Sequence, residues 1–207
     1  SMQMQRPDRQ SVLQFVPAEL TALRAAITAA YAPERLAGTP SDIIRFQFPK
    51  NAFGPAEIEL FRKSDWLVLP HSDPYFGPDQ VTVVIRAKQV IDPTPSICFH
   101  ATLLDRERSI RERGLVPGHV VAAPPKCAQF SDSSFYIFVS ATIDDARGWI
   151  RIFDEERKSR WVILPIDCRD IRLLYDPCSR GANAVPGWIL ETDHVGPERI
   201  GESIVVD

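Results

Sequence analysis

Residues Ile97, Cys98, Phe99, His100, Ala101 and Thr102 run without a break into a charged segment that closes on Gly114, Leu115, Val116 and Pro117. That junction constrains the fold more than any other stretch. Ile97 and Phe99 fall on one face of an extended chain and Cys98 and His100 on the other, the two-residue period of a strand. Residues 103–113 read as a helix. Thr102 or Asp105 can accept bonds from the orphan amides of its first turn, Gly114 suits a position with positive φ beyond its last, and Pro117 forbids continuation. A histidine at the end of an apolar strand, beside a capped helix, is a site-shaped arrangement.

The rest of the chain is punctuated by 18 prolines and 10 glycines into short elements. Residues 17–31 place Leu20, Leu23 and Ile27 three or four apart in an alanine-rich run, which predicts an amphipathic helix with Pro17 at or before its first turn. Residues 43–48, 66–69 and 81–86 are β-branched or aromatic runs that read as strands, and a turn or two of helix fits residues 55–63. Pro93 and Pro95 mark residues 90–96 as an extended linker. A second loop covers residues 116–134. Beyond it, strands fit residues 135–139, 161–164, 171–175, 188–190 and 204–206, and a short helix fits residues 143–149. Helices that gather early, followed by strands, favour segregated α+β with a mixed or antiparallel sheet over a βαβ series.

A chain of 207 residues with 25% charged side chains and a formal charge of −3 is globular in composition and has no general attraction for phosphate backbones or anionic membranes. Its only lysines are Lys50, Lys63, Lys88, Lys126 and Lys158, so most of its 24 basic residues are arginines. Cys98, Cys127, Cys168 and Cys178 form no Cys-x-x-Cys pair, and His71, His119 and His194 have no ligand spacing, so reduced thiols and no metal are expected. No apolar run reaches the length of a membrane span and no signal peptide is visible, which predicts a cytoplasmic protein.

From about residue 97 to 200 the chain resembles the ADP-ribosyltransferase superfamily, whose members bind NAD as a substrate. In that superfamily a strand with a His-x-Thr or His-x-Ser ending leads into a Ser-Ile-x-x-x-Gly-Leu helix. Here Phe99, His100, Ala101 and Thr102 precede Ser109, Ile110, Gly114 and Leu115. A second aromatic strand with a small polar residue matches Tyr136 and Ser140, followed by a helix with Ala146. A late strand with an acidic, proline-containing tail matches Trp188, Glu191, Pro197 and Ile200. The resemblance implies a split mixed or antiparallel sheet in residues 97–207, preceded by a small α/β region in residues 1–90 that helps select an acceptor.

What the resemblance implies for the site follows from the chemistry. Breaking the nicotinamide–ribose bond creates a cationic sugar, so hydroxyls must be held, the carboxamide clamped and negative charge placed nearby. His100 would bond the adenosine-side ribose, the main chain at Ala101 the carboxamide, and Thr102 would steady the turn. Tyr136, or Trp149 in its place, would stack on nicotinamide, with Ser140 beside it. Glu191 would hold the nicotinamide ribose and favour the cation, with Asp193 and Glu198 as weaker candidates. The implied activity is a bacterial-type mono-ADP-ribosyltransferase acting on a protein or nucleic acid, cytoplasmic or delivered into a target cell.

Other readings stay open. In similar tails the glutamate falls nearer Trp188 than Glu191. A related branch, the RNA 2′-phosphotransferases, uses NAD without that glutamate. A catalytically inactive module that binds a nucleotide or a partner is a third reading. Tyr136 and Trp149 can equally be core aromatics, Glu191 a solvated strand-end carboxylate, and Arg108 with Glu112 an exposed i,i+4 pair.

Overall fold

The computed structural model describes residues 4–121, 135–177 and 185–207. Cys127, Cys178 and most of the loop expected before residue 135 lie outside them. The chain divides into two compact units, one up to residue 88 and one from residue 89 onward.

The first unit contains α1 (Arg9–Leu13), α2 (Thr21–Ala30), α3 (Pro33–Ala37), β1 (Ile43–Pro49), α4 (Pro55–Glu59), β2 (Trp66–His71) and β3 (Gln80–Ala87). Its antiparallel sheet has the order β1-β3-β2. Phe46 opposes Val83 and Ile44 opposes Ile85, and all four are at most 1% exposed. Leu23 and Ile27 bury the apolar stripe of α2. That helix starts at Thr21 rather than at residue 17. The Leu20 amide bonds the Pro17 carbonyl in a tight turn, and Arg24 Nη1 takes the Leu13 and Val16 carbonyls at 3.0 and 2.7 Å, which holds the approach outside the helix. Trp66 Nε1 donates to the Ser11 carbonyl and Tyr31 Oη to that of Pro7, so the amphipathic aromatics lace the unit together by their polar tips.

The second unit contains β4 (Ile97–Leu103), α5 (Glu107–Arg113), β5 (Ile137–Val139), α6 (Ile143–Phe153), β6 (Trp161–Asp167), β7 (Leu173–Tyr175), β8 (Trp188–Leu190) and β9 (Ile204–Val206). Two three-stranded sheets, β4-β6-β9 and β5-β8-β7, are antiparallel throughout the described pairs. The molecule is therefore α+β. One core cluster spans both sheets, joining Cys98 and Ile166 to Ile137, Val139, Leu173 and Leu190, while α6 lays Ala146 and Ile150 against Ala101 and Ile163.

Several expected boundaries move. Neither Thr102 nor Asp105 caps the helix after β4, because the strand continues: Leu103 pairs with Trp161 and the Leu104 amide with the Arg160 carbonyl. A 3-10 turn (Leu104–Arg106) follows, and α5 begins at Glu107 with no side-chain cap. Strand β6 runs to Asp167 because all seven of its residues pair with β4. Helix α6 reaches Phe153, whose ring stacks between Trp149 at 5.5 Å and Trp161 at 6.2 Å. Strands β5 and β7 start two residues later than their apolar runs.

Gly114 is where the opening motif meets the late tail. Its φ of 92° and ψ of 176° lie in a region that only glycine occupies cheaply. Leu115 then forms an antiparallel bridge with Val195, N–H to O in both directions at 2.9 and 2.8 Å. A Cβ on Gly114 would lie 2.3 Å from the Val195 carbonyl oxygen and 2.6 Å from His194 Nε2. His194 Nε2 itself donates to the Arg113 carbonyl. The tail is strapped further by Arg111, which bonds the Gly201 carbonyl and Ser203 Oγ, while Ser203 also meets Glu107.

Candidate functional site

Among the described residues, strands β4 and β5 meet at one bridge. The Phe99 amide donates to the Ser140 carbonyl at 2.8 Å and the Ser140 amide to that of Phe99 at 2.7 Å; beyond it each strand pairs with its own sheet. His100 occupies the point of divergence. Its Nδ1 lies 2.7 Å from the Phe138 carbonyl, and since a carbonyl can only accept, Nδ1 carries the proton. In the neutral ring Nε2 is then the acceptor. Because main-chain groups alternate sides along a strand, Ala101 directs its N–H and C=O the same way as Phe99, toward β5 and the split.

Polar groups gather here. Among the described residues the buried polar side chains of the second unit are His100, Thr102, Ser140 and Asp176, at 8, 2, 3 and 4% exposure. Ser140 forms the β4–β5 bridge with Phe99, His100 adjoins it and Thr102 lies two residues further along β4; buried polar groups of this kind persist because they are hydrogen-bonded. Asp176, the one buried carboxylate among the described residues, was not legible as a site residue. Its amide bonds the Gly187 carbonyl at the end of β7, and with Val139 opposite Trp188 the register sets Ser140 beside the same glycine. Gly187 thus separates two buried polar residues with no side chain of its own.

The other candidates fall around this point unevenly. Tyr136 lies just before β5 and Glu191 just after β8, adjacent to the Ile137–Leu190 pair, so the two flank the same end of the sheet. Tyr136 is half-buried and meets Phe138 edge-on at 6.4 Å. Glu191 is held by Arg172, whose Nε and Nη2 both donate to Oε1 at 2.8 and 2.5 Å. Trp149 sits on α6, its Nε1 bonded to the Pro186 carbonyl at 3.0 Å and its ring in the Phe153 stack. Trp188 faces the core cluster and meets Tyr175 edge-on, so along β8 it points to the opposite face from Glu191. Asp193 is exposed, and Glu198 lies in the 3-10 turn (Pro197–Arg199).

Two features lie apart from the split. A cleft of about 430 Å³ opens at the other end of β4, lined by residues including Thr94, Ser96, Asp167, Arg169 and Arg199. Its charges are mutually engaged: Arg169 forks onto Asp167 at 3.0 and 2.7 Å, and Arg199 Nη1 takes the Asp167 and Arg169 carbonyls. Beneath it, Cys98 and Cys168, seventy positions apart, are both fully buried. The hydrogen bond to Cys168, with burial, pushes the Cys98 thiol up, and Cys168 Sγ donates to the Pro95 carbonyl at 3.0 Å.

Among the described residues no three His, Cys, Asp or Glu side chains stand together as a metal site, and no helix is long and apolar enough to cross a membrane. Compared with known proteins, the chain matches no family model and no curated sequence.

Proposed function

We propose that the second unit binds NAD at the divergence of β4 and β5 and acts as an NAD-dependent mono-ADP-ribosyltransferase on a protein or nucleic-acid acceptor. The observation that carries this reading is the local one at His100: the protonated Nδ1 is committed to the Phe138 carbonyl, which orients the ring at a split lined by main-chain and buried polar groups. The imidazole is thereby held in one tautomer and one orientation, and an oriented ring nitrogen is the kind of group that bonds a ribose hydroxyl.

The chemistry follows from the groups available. The bond between nicotinamide nitrogen and the ribose carbon breaks with its electron pair leaving on nicotinamide, and the resulting ribosyl cation is captured by an acceptor nucleophile that then loses its proton. His100 and the Ala101 main chain bind and orient the dinucleotide. Glu191 supplies negative charge as the cation develops, an interaction stronger in the transition state than before it. Tyr136, at the same sheet end as Glu191, offers a ring face for the leaving group.

Incubation with NAD labelled in the adenosine half, with nicotinamide release followed in parallel, tests the reading. The expected result is turnover by the wild type, reduced about 100-fold or more in Glu191→Gln and in His100→Ala. NAD binding without nicotinamide release favours the inactive module, and dephosphorylation of 2′-phosphorylated RNA that survives Glu191→Gln favours the phosphotransferase.

A further inference from the structure

Glu191 is fixed to β7 twice over. Its backbone amide donates to the Arg172 carbonyl at 2.9 Å, continuing the β7–β8 pairing beyond the Leu173–Leu190 pair. Its side chain, 17% exposed, accepts two N–H bonds from the Arg172 guanidinium on the single atom Oε1. Two donors on a rigid planar fork fix the position of Oε1 more closely than a point charge on a flexible stem would. Arg172 itself is half exposed and lies on the far side of Glu191 from β5.

We propose that Arg172 is a positioning residue that sets the Glu191 carboxylate for its role in nicotinamide–ribose cleavage; the inference rests on the transferase reading above. A guanidinium has nothing to offer a developing ribosyl cation directly, since the two charges repel. Any benefit to catalysis passes through Glu191. This places the effect in the transition state, where the carboxylate meets the cation, and not in the ground-state binding of NAD.

The test is steady-state nicotinamide release by the full chain. Arg172→Gln is expected to lower kcat about 10-fold to 100-fold with KM for NAD within a factor of about 2, and Arg172→Lys to restore only part of the loss. In a Glu191→Gln background the same substitution is expected to cost nothing further, because the group it positions is gone. Arg172 is half exposed, so Arg172→Gln is expected to stay folded under assay conditions with its unfolding midpoint lowered by no more than about 3 °C. Wild-type kcat in Arg172→Gln, a loss carried by KM, or equal losses in both backgrounds overturns the inference while leaving the transferase reading intact. A wild type that releases no nicotinamide removes both.

Discussion

Gly114→Ala should be among the most damaging single-methyl additions in the second unit. The backbone angles alone, φ 92° and ψ 176°, cost an L-residue about 1–3 kcal/mol. The new Cβ would also stand 2.3 Å from a main-chain carbonyl oxygen, a group that cannot swing aside as a side chain can. Relieving that contact separates Leu115 from Val195, whose two N–H to O bonds contribute about 1 kcal/mol each. The total is about 3–5 kcal/mol, a large part of a domain's stability. At about 2–4 °C per kcal/mol for a chain of this size, the midpoint should fall by about 6–20 °C. Gly201→Ala is the matched control. It lies in the same unit with its nearest neighbour, Pro165 Cβ, at 3.4 Å, an ordinary contact, and should unfold near the wild type. Thermal unfolding followed by tryptophan fluorescence compares the three proteins. A Gly114→Ala midpoint within about 2 °C of the wild type would refute the argument that this glycine joins the two motifs.

Two further changes probe the same unit. Thr142 Oγ1 accepts from the Asp145 amide at 3.1 Å as the cap of α6, so Thr142→Ala should cost about 1 kcal/mol in denaturant unfolding, and an unchanged midpoint would show the cap to be idle. The Arg169 side chain and amide hold the Asp167 carboxyl down to about 2, below an unfolded value of about 3.9. Between these values the unfolded chain binds the extra proton, so stability falls as pH drops through that window and is fully present above it. Asp167→Asn should flatten the acid limb of a stability-against-pH curve, whereas a curve superimposable on the wild type would contradict the assignment.

What was readable in the sequence was local. The alternation from Ile97 to His100 and the β-branched runs at β1, β3, β8 and β9 each carry their own period, and all became strands. Gly114 was readable because a residue with positive φ after a helix leaves few choices. Long-range pairing was not. Thr102 looked like a cap because its own hydroxyl favours one, but strand β6, about sixty residues away, pairs past it and keeps the chain extended. Cys98 and Cys168 carry no spacing signal, and only the β4–β6 register makes them neighbours. Arg172 and Asp176 sit in a short run whose visible signal is the strand period of its apolar residues. Their partners lie across the sheet, Glu191 for one and Gly187 for the other. The order of His100, Tyr136 and Glu191 was visible in one dimension. That His100 sits at a split and Glu191 is clamped by an arginine required three.

Binding of NAD at the β4–β5 divergence through His100, as proposed, is read out by calorimetric titration of NAD into the wild type, His100→Ala and Gly201→Ala. The account predicts saturable binding to the wild type and to Gly201→Ala, and affinity at least about 10-fold weaker in His100→Ala, the loss of one buried, oriented hydrogen bond. Absence of binding to the folded wild type, or equal affinity in all three proteins, would contradict it.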